Sequence, residues 1–236
     1  MKLDQIRWLL IDLDNTILDY DAAARSALTS TYGEFGIPAT DEYIDLYKTI
    51  NRKYWEEFES GEIDIQTLKQ KRFETFVAST GLEVNPDDLN NFYLDKLSEQ
   101  AQIMSGARDF LDWARSRFRL AVVTNGFPEV QRPRILKAGL LGYFEELIIS
   151  EEIGSSKPRA EFFQFLYNRI HPVAKNALMI IGDNLYSDIK GGLDFGIQTC
   201  WYNPAMQGNH SDVEPHIEIS SFSQLISRWP VTGYPK

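Results

Sequence analysis

The stretch WLLIDLDNT, Trp8–Thr16, runs four apolar residues straight into two carboxylates, Asp12 and Asp14, placed two apart. A short, continuous apolar run reads as a β-strand covered on both faces, the kind that fills parallel sheets. Two like charges at the end of a buried strand repel each other and lose hydration, so the fold must supply something that offsets them.

Four further runs of the same type occur at Leu120–Val123, Leu147–Ile149, Leu178–Ile181 and Gln198–Tyr202, with helix-like stretches between them. Strand and helix in alternation predict an α/β fold, a Rossmann-like parallel sheet with helices on both faces. Residues 18–104 differ: they carry only helical periodicity, broken at Gly36–Pro38, Ser60–Gly61 and Thr80–Pro86. The expected organisation is therefore an α/β core from residues 1–17 and 105–236, interrupted by an all-helical insertion at 18–104. The closing GYPK reads as a frayed end.

With 236 residues, 43% hydrophobic and 25% charged, the chain has the composition of an ordinary soluble globule. Its formal net charge of −10 argues against nucleic-acid polymers and acidic membranes as partners, since both would be repelled. A small anionic ligand needs strong local attraction in such a field. The one cysteine, Cys200, can form no internal disulfide, and the first apolar run is too short for a signal peptide or a membrane span, so a cytoplasmic location is expected. The chain is expected to be a monomer or a homodimer.

Each apolar run ends in a polar residue suited to catalysis. The first ends in DLDNT, the second in TNG (Thr124, Asn125, Gly126), the third in Ser150 followed by SSKP with Lys157, and the fourth in GDNLYSD with Asp183 and Asp188. In open parallel sheets the ligand crevice lies at the carboxyl ends of the strands, where residues remote in sequence converge. A cation between Asp12 and Asp183 explains the crowded carboxylates. Mg2+ suits this role, because it takes one or two carboxylates and completes its shell with water and phosphate oxygens. Asp12 is then placed to attack phosphorus and form an aspartyl phosphate. Asp14 is placed to protonate the leaving oxygen and later to take a proton from water. Lys157, the Thr124 hydroxyl and loop N–H groups would meet the charge on the phosphoryl oxygens.

Taken singly, these signals have bland readings. An Asp-x-Asp pair often caps a turn, Asp188 can be a solvated helix residue, Lys157 before Pro158 can sit at a surface helix start, and Gly182 or Gly191–Gly192 can serve turn geometry alone. Their fixed order, each at the end of an apolar run, favours a common site.

On these four motifs the chain resembles the haloacid dehalogenase superfamily. The resemblance implies a nucleophile at Asp12 and an acid/base at Asp14. It further implies metal ligation by the Asp12 carboxylate, the Asp14 carbonyl and Asp183 with support from Asp188, and phosphate contacts by Thr124 and Lys157. Asn125 and Gly126 become candidates for substrate binding. The insertion resembles the family's C1-type helical cap, which closes over the site and selects the substrate. Within the superfamily, TNGF (Thr124–Phe127), ISEEIGSSKP (Ile149–Pro158), GDNLYSDIKGG (Gly182–Gly192), TCWYN (Thr199–Asn203), INRKYWEEFESGEI (Ile50–Ile63) and Arg72–Phe73 resemble bacterial noncanonical pyrimidine 5'-nucleotidases. This implies a Mg2+-dependent phosphatase of nucleoside monophosphates. One departure is Pro133, which fits only the first turn of the helix that follows it.

Other readings stay open at this stage. A dehalogenase has no need of Asp14 or of the Asp183/Asp188 pair. A phosphomutase would use the same motifs, and a phosphoglycolate or sugar-phosphate phosphatase differs only in the insertion. A non-catalytic scaffold conflicts with the intact motifs. His171, His210 and His216 lack zinc-ligand spacing, and Cys200 reads as a small buried hydrophobe. Tyr20, Tyr47, Tyr54, Trp55, Phe58 and Phe73 are read either as helical core or as stacking faces for a base. Arg52 and Arg72 are candidates to meet base carbonyls.

Overall fold

The computed structural model describes residues 3–229, and the GYPK end lies outside them. Strand β1 (Trp8–Ile11) is buried along its whole length. Four helices follow: α1 (Tyr20–Glu34), α2 (Asp41–Ser60), α3 (Ile65–Thr80) and α4 (Pro86–Ser98). Then α5 (Ala107–Ala114), β2 (Arg119–Thr124), α6 (Pro128–Lys137), β3 (Glu146–Ile149), α7 (Ser150–Ile153), α8 (Ala160–Ile170), β4 (Leu178–Gly182), α9 (Gly191–Phe195), β5 (Gln198–Tyr202), β6 (Ile217–Ile219) and α10 (Phe222–Ser227) complete the chain.

The strands form one six-stranded parallel sheet in the order β3-β2-β1-β4-β5-β6. Trp8 and Leu10 on β1 join Ala121, Val123, Leu178 and Ile180 in a core closed by Phe162, Phe163 and Leu166 of α8. The apolar runs are continuous because helices such as α8 cover what would otherwise be wet. Ile11 pairs with Val122 on one side and Ile181 on the other. The segments that leave β1, β2 and β4 therefore emerge at nearly one level. Strand β6, three residues of sequence IEI at the sheet edge, was not expected, since it is too short to register as a run.

The chain divides into two compact units. One comprises the residues up to Asp19, Ile103–Pro128 and those from Ala138 on. The other comprises Tyr20–Gln102 with Glu129–Lys137. The helix ends of the second unit follow their sequence signals. Asp64 accepts from the Thr67 N–H at 2.8 Å to start α3, Pro86 opens α4, and Gly61, with φ +87°, ends α2 where a Cβ would be strained. Its interior is aromatic: Tyr47 lies 4.5 Å from Phe73 and 5.3 Å from Tyr93, centroid to centroid, and Tyr32 stacks on Phe76.

Helix α6 corrects the expectation for Pro133. The helix begins at Pro128, so Pro133 sits in its interior and leaves the Glu129 carbonyl without an N–H from the next turn. Two contacts tie this helix to other parts of its unit: Lys69 pairs with Glu129 at 2.9 Å, and Arg134 Nε donates to the Gln100 carbonyl at 3.2 Å. Within the helix, Arg134 Nη1 donates to Gln131 at 3.0 Å. Where the chain leaves and re-enters the first unit, Leu18 bridges Ile103, and the Met104 N–H donates to Ile17 at 2.9 Å.

Candidate active site

Asp12 continues the β1–β4 ladder by one residue, its N–H donating to the Ile181 carbonyl at 2.9 Å. That bond fixes the backbone just where the side chain must be placed. The chain then turns sharply. The Leu13 carbonyl accepts from Ile17 and Leu18 at 2.9 and 2.8 Å, and Asn15 adopts a left-handed conformation, φ +55°, that Asn tolerates better than most residues. Asp14 lies half-buried on this turn.

Lys157 is the hub. Its buried ammonium donates to Asp12 Oδ1 at 2.6 Å, to Asp188 Oδ1 at 2.6 Å and to the Val123 carbonyl at 2.8 Å, which uses all three N–H bonds. The bland reading of Lys157 as a surface residue does not hold, since its side chain is 2% exposed. Asp188 is likewise buried rather than solvated. A Cβ on Gly182 would stand 2.2 Å from Asp188 Oδ2, so this glycine makes room for the carboxylate.

The Asn125 side chain is engaged by the neighbouring loop: its carboxamide donates to the Lys157 carbonyl at 2.9 Å and accepts from the Lys157 N–H at 2.9 Å, so both ends grip the Lys157 backbone. Ser150 donates to the Asn125 carbonyl at 3.2 Å. Thr124, the last residue of β2, accepts from the Gly126 N–H at 3.1 Å, which shapes the TNG turn; Gly126 is half-buried there.

Asp183 follows β4 directly. Beyond it, Asn184 opens a π-helical turn at Leu185–Lys190 by accepting from the Tyr186 and Ser187 N–H groups at 2.8 and 3.0 Å. The Asn184 N–H donates to Asp188 Oδ2 at 3.2 Å. Asp12, Asp183 and Asp188 thus each bring a carboxylate oxygen within 4.8 Å of the others.

The electrostatics follow. Burial raises the Asp12 carboxyl to about 7, against the pull of Lys157 and with the help of Asp188 and Asp14. Burial also raises Asp183 well above the usual carboxylate range, and Asp12 and Asp188 add to the effect. For Lys157 burial pulls downward, but Asp12 and Asp188 outweigh it and the ammonium is held above its ordinary value. Three carboxylates against one ammonium leave two negative charges uncompensated, which fits a hard divalent cation bound by oxygen ligands.

The candidates in the helical unit divide. Arg72 is 1% exposed, and its guanidinium donates to Asn51 at 3.1 Å and Asn90 at 3.0 Å, so it stands as a buried structural cation, not as an open contact for a base. Tyr47 and Phe73 are also fully buried, which removes them as stacking faces. Tyr20 is half-buried, with its hydroxyl 3.4 Å from that of Tyr93 and 3.3 Å from Asn51 Nδ2. Trp55 is half-buried against the edge of Phe58, and Arg52 is exposed. Burial of an arginine by neighbouring amides leaves no mark in a sequence, which is why Arg72 could not be sorted from Arg52 by pattern alone.

With this geometry in place, comparison defines the class. Residues 6–196 match the model of haloacid dehalogenase-like hydrolases, and the chain belongs to that family. The pyrimidine 5'-nucleotidase PynA of Streptococcus pneumoniae is 37% identical over 93% of each chain. The pyrimidine 5'-nucleotidase YjjG of Escherichia coli is 29% identical over 95% of this chain and 97% of its own. The crystal structure of the HAD-hydrolase YfnB of Bacillus subtilis, described as bound to magnesium and as revealing interdomain movement, superposes with a TM-score of 0.89 at 35% identity, over 94% of this chain and 98% of that one. No helix among the described residues is long and apolar enough to cross a membrane.

Proposed function

We propose that the chain is a Mg2+-dependent phosphatase of pyrimidine nucleoside 5'-monophosphates, acting through an aspartyl phosphate on Asp12. The observation that carries this reading is the convergence of Lys157 and Asp188 on Asp12 and Asp183, which follow the neighbouring strands β1 and β4. Similarity to two pyrimidine 5'-nucleotidases over nearly the whole chain supports the substrate class. The one cysteine, Cys200, is free and buried, which accords with a cytoplasmic enzyme.

Asp12 and Asp183 would hold the metal through their carboxylates, and Asp14 through its main-chain carbonyl. When bound, Mg2+ supplies charge that screens the nucleophile from the phosphoryl oxygens and stabilises their charge in the transition state. An Asp12 oxygen forms a bond to phosphorus while the bond to the 5' oxygen breaks, and Asp14 gives that oxygen its proton. Asp14, now ionised, takes a proton from water as the water attacks phosphorus, and inorganic phosphate leaves Asp12 free. Lys157 keeps Asp12 oriented and meets the phosphoryl charge together with Thr124 and the N–H groups of the TNG turn. The helical unit, Tyr20–Gln102, acts as the cap that selects the leaving group, with Tyr20 and Trp55 as candidate contacts.

The test is a comparison of kcat/KM for uridine and thymidine monophosphate with that for phosphoglycolate and a hexose phosphate, all with Mg2+. The pyrimidine nucleotides should lead. A tenfold lead for phosphoglycolate or the sugar phosphate would keep the phosphatase chemistry and refute the nucleotidase reading.

A further inference from the structure

Asp183 is the metal-site carboxylate least enclosed by the fold, since it is half-buried while Asp12 and Asp188 are buried. It also lies beyond the last paired residue of β4, where the ladder no longer fixes the main chain: the final pair between β4 and β5 joins Gly182 to Trp201. What fixes it is a side chain. The indole Nε1–H of Trp201 donates to the Asp183 carbonyl at 2.8 Å. Trp201 is itself 5% exposed, so its ring has little freedom to turn away.

We infer that Trp201 is a positioning residue for the metal site: its indole N–H fixes the Asp183 main chain, and so sets where the Asp183 carboxylate meets the cation. The inference rests on the metal reading given above. A Trp201→Phe side chain keeps an aromatic ring but lacks the donor, and it leaves a carbonyl at the strand end without its partner. Without that donor the Asp183 peptide is free to rotate, and any rotation carries the carboxylate with it. Partners that orient metal ligands from outside the coordination shell typically cost about 10- to 100-fold in metal affinity when removed. The sequence marks Trp201 only as one residue of an apolar strand, so this task was invisible before the fold was known.

The test is direct Mg2+ binding by calorimetry on wild type, Trp201→Phe and Trp229→Phe, with circular dichroism to confirm folding. Trp229, buried against Trp113 and Phe118, controls for the loss of a large buried indole. The inference expects about 10- to 100-fold weaker Mg2+ binding for Trp201→Phe and unchanged binding for Trp229→Phe. Should Trp201→Phe fail to fold, benzothienylalanine placed at position 201 keeps the shape and replaces only the N–H by sulfur, with the same expectation. Wild type and the position-201 variant binding Mg2+ within twofold of each other would overturn the inference and leave the metal reading intact. No Mg2+ binding by wild type would instead overturn the metal reading on which it rests.

Discussion

The Asn125 carboxamide and the Lys157 backbone close on each other through two hydrogen bonds, each 2.9 Å long. The pairing joins the turn after β2 to the loop after α7, and it holds the residue whose ammonium donates to Asp12. Asn125→Ala removes both bonds. A misplacement of Lys157 by a fraction of an ångström to an ångström should lower kcat by roughly 10- to 100-fold. Because the Asn125 carboxamide is taken up by the Lys157 backbone, KM should change little. Steady-state kinetics separate the two outcomes: a raised KM at unchanged kcat would place Asn125 on the substrate after all.

Asp14 lies on the turn held by the Leu13 carbonyl and Asn15. As the acid, it matters in proportion to how badly the leaving oxygen needs a proton. Asp14→Asn should lose about 100-fold or more with a nucleotide and much less with nitrophenyl phosphate, whose leaving oxygen departs without help. Equal losses with both substrates would assign Asp14 a structural role.

Burial of the Asp12 carboxyl, with other carboxylates beside it, makes the metal-free protein sensitive to pH. Asp12 is raised from 3.8 to about 7, so the folded state binds its proton more tightly than the unfolded state does. The corresponding stability is full below pH 3.8 and is lost as the pH rises through about 7. Metal-free protein should therefore melt at a lower temperature at about pH 8 than at about pH 5. Mg2+ needs the ionised carboxylate, so the stabilisation it gives should grow over the same interval. Thermal melts with and without Mg2+ at several pH values check this, and a metal increment independent of pH would contradict it.

Much of the core was legible because its strands are covered on both faces. Trp8–Ile11 and Gln198–Tyr202 stand out as apolar runs with the bounds the structure gives them. The convergence of Asp12 and Asp183 followed from strand ends in a parallel sheet, and β1 and β4 are neighbours. Side-chain partnerships were not legible. Nothing in TNG says that its Asn grips the backbone of Lys157, because the two are 32 residues apart and meet only through the fold. Helical spacing put Tyr47 and Phe73 on one list with Trp55, and only packing shows that the first two form the interior of the helical unit. Pro133 departs from its local rule, standing in the interior of α6 where the surrounding unit and not the local sequence decides the helix.

The central claim is that the Asp12 carboxylate becomes phosphorylated during turnover. The most direct measurement is an acid quench of the enzyme turning over uridine monophosphate that carries a radiolabelled phosphate, with Mg2+, followed by peptide mapping. The account predicts acid-stable, hydroxylamine-sensitive label on the peptide that contains Asp12, and neither label nor turnover in a folded Asp12→Asn protein. Phosphate release at the wild-type rate by Asp12→Asn, with no label on the protein, would contradict it.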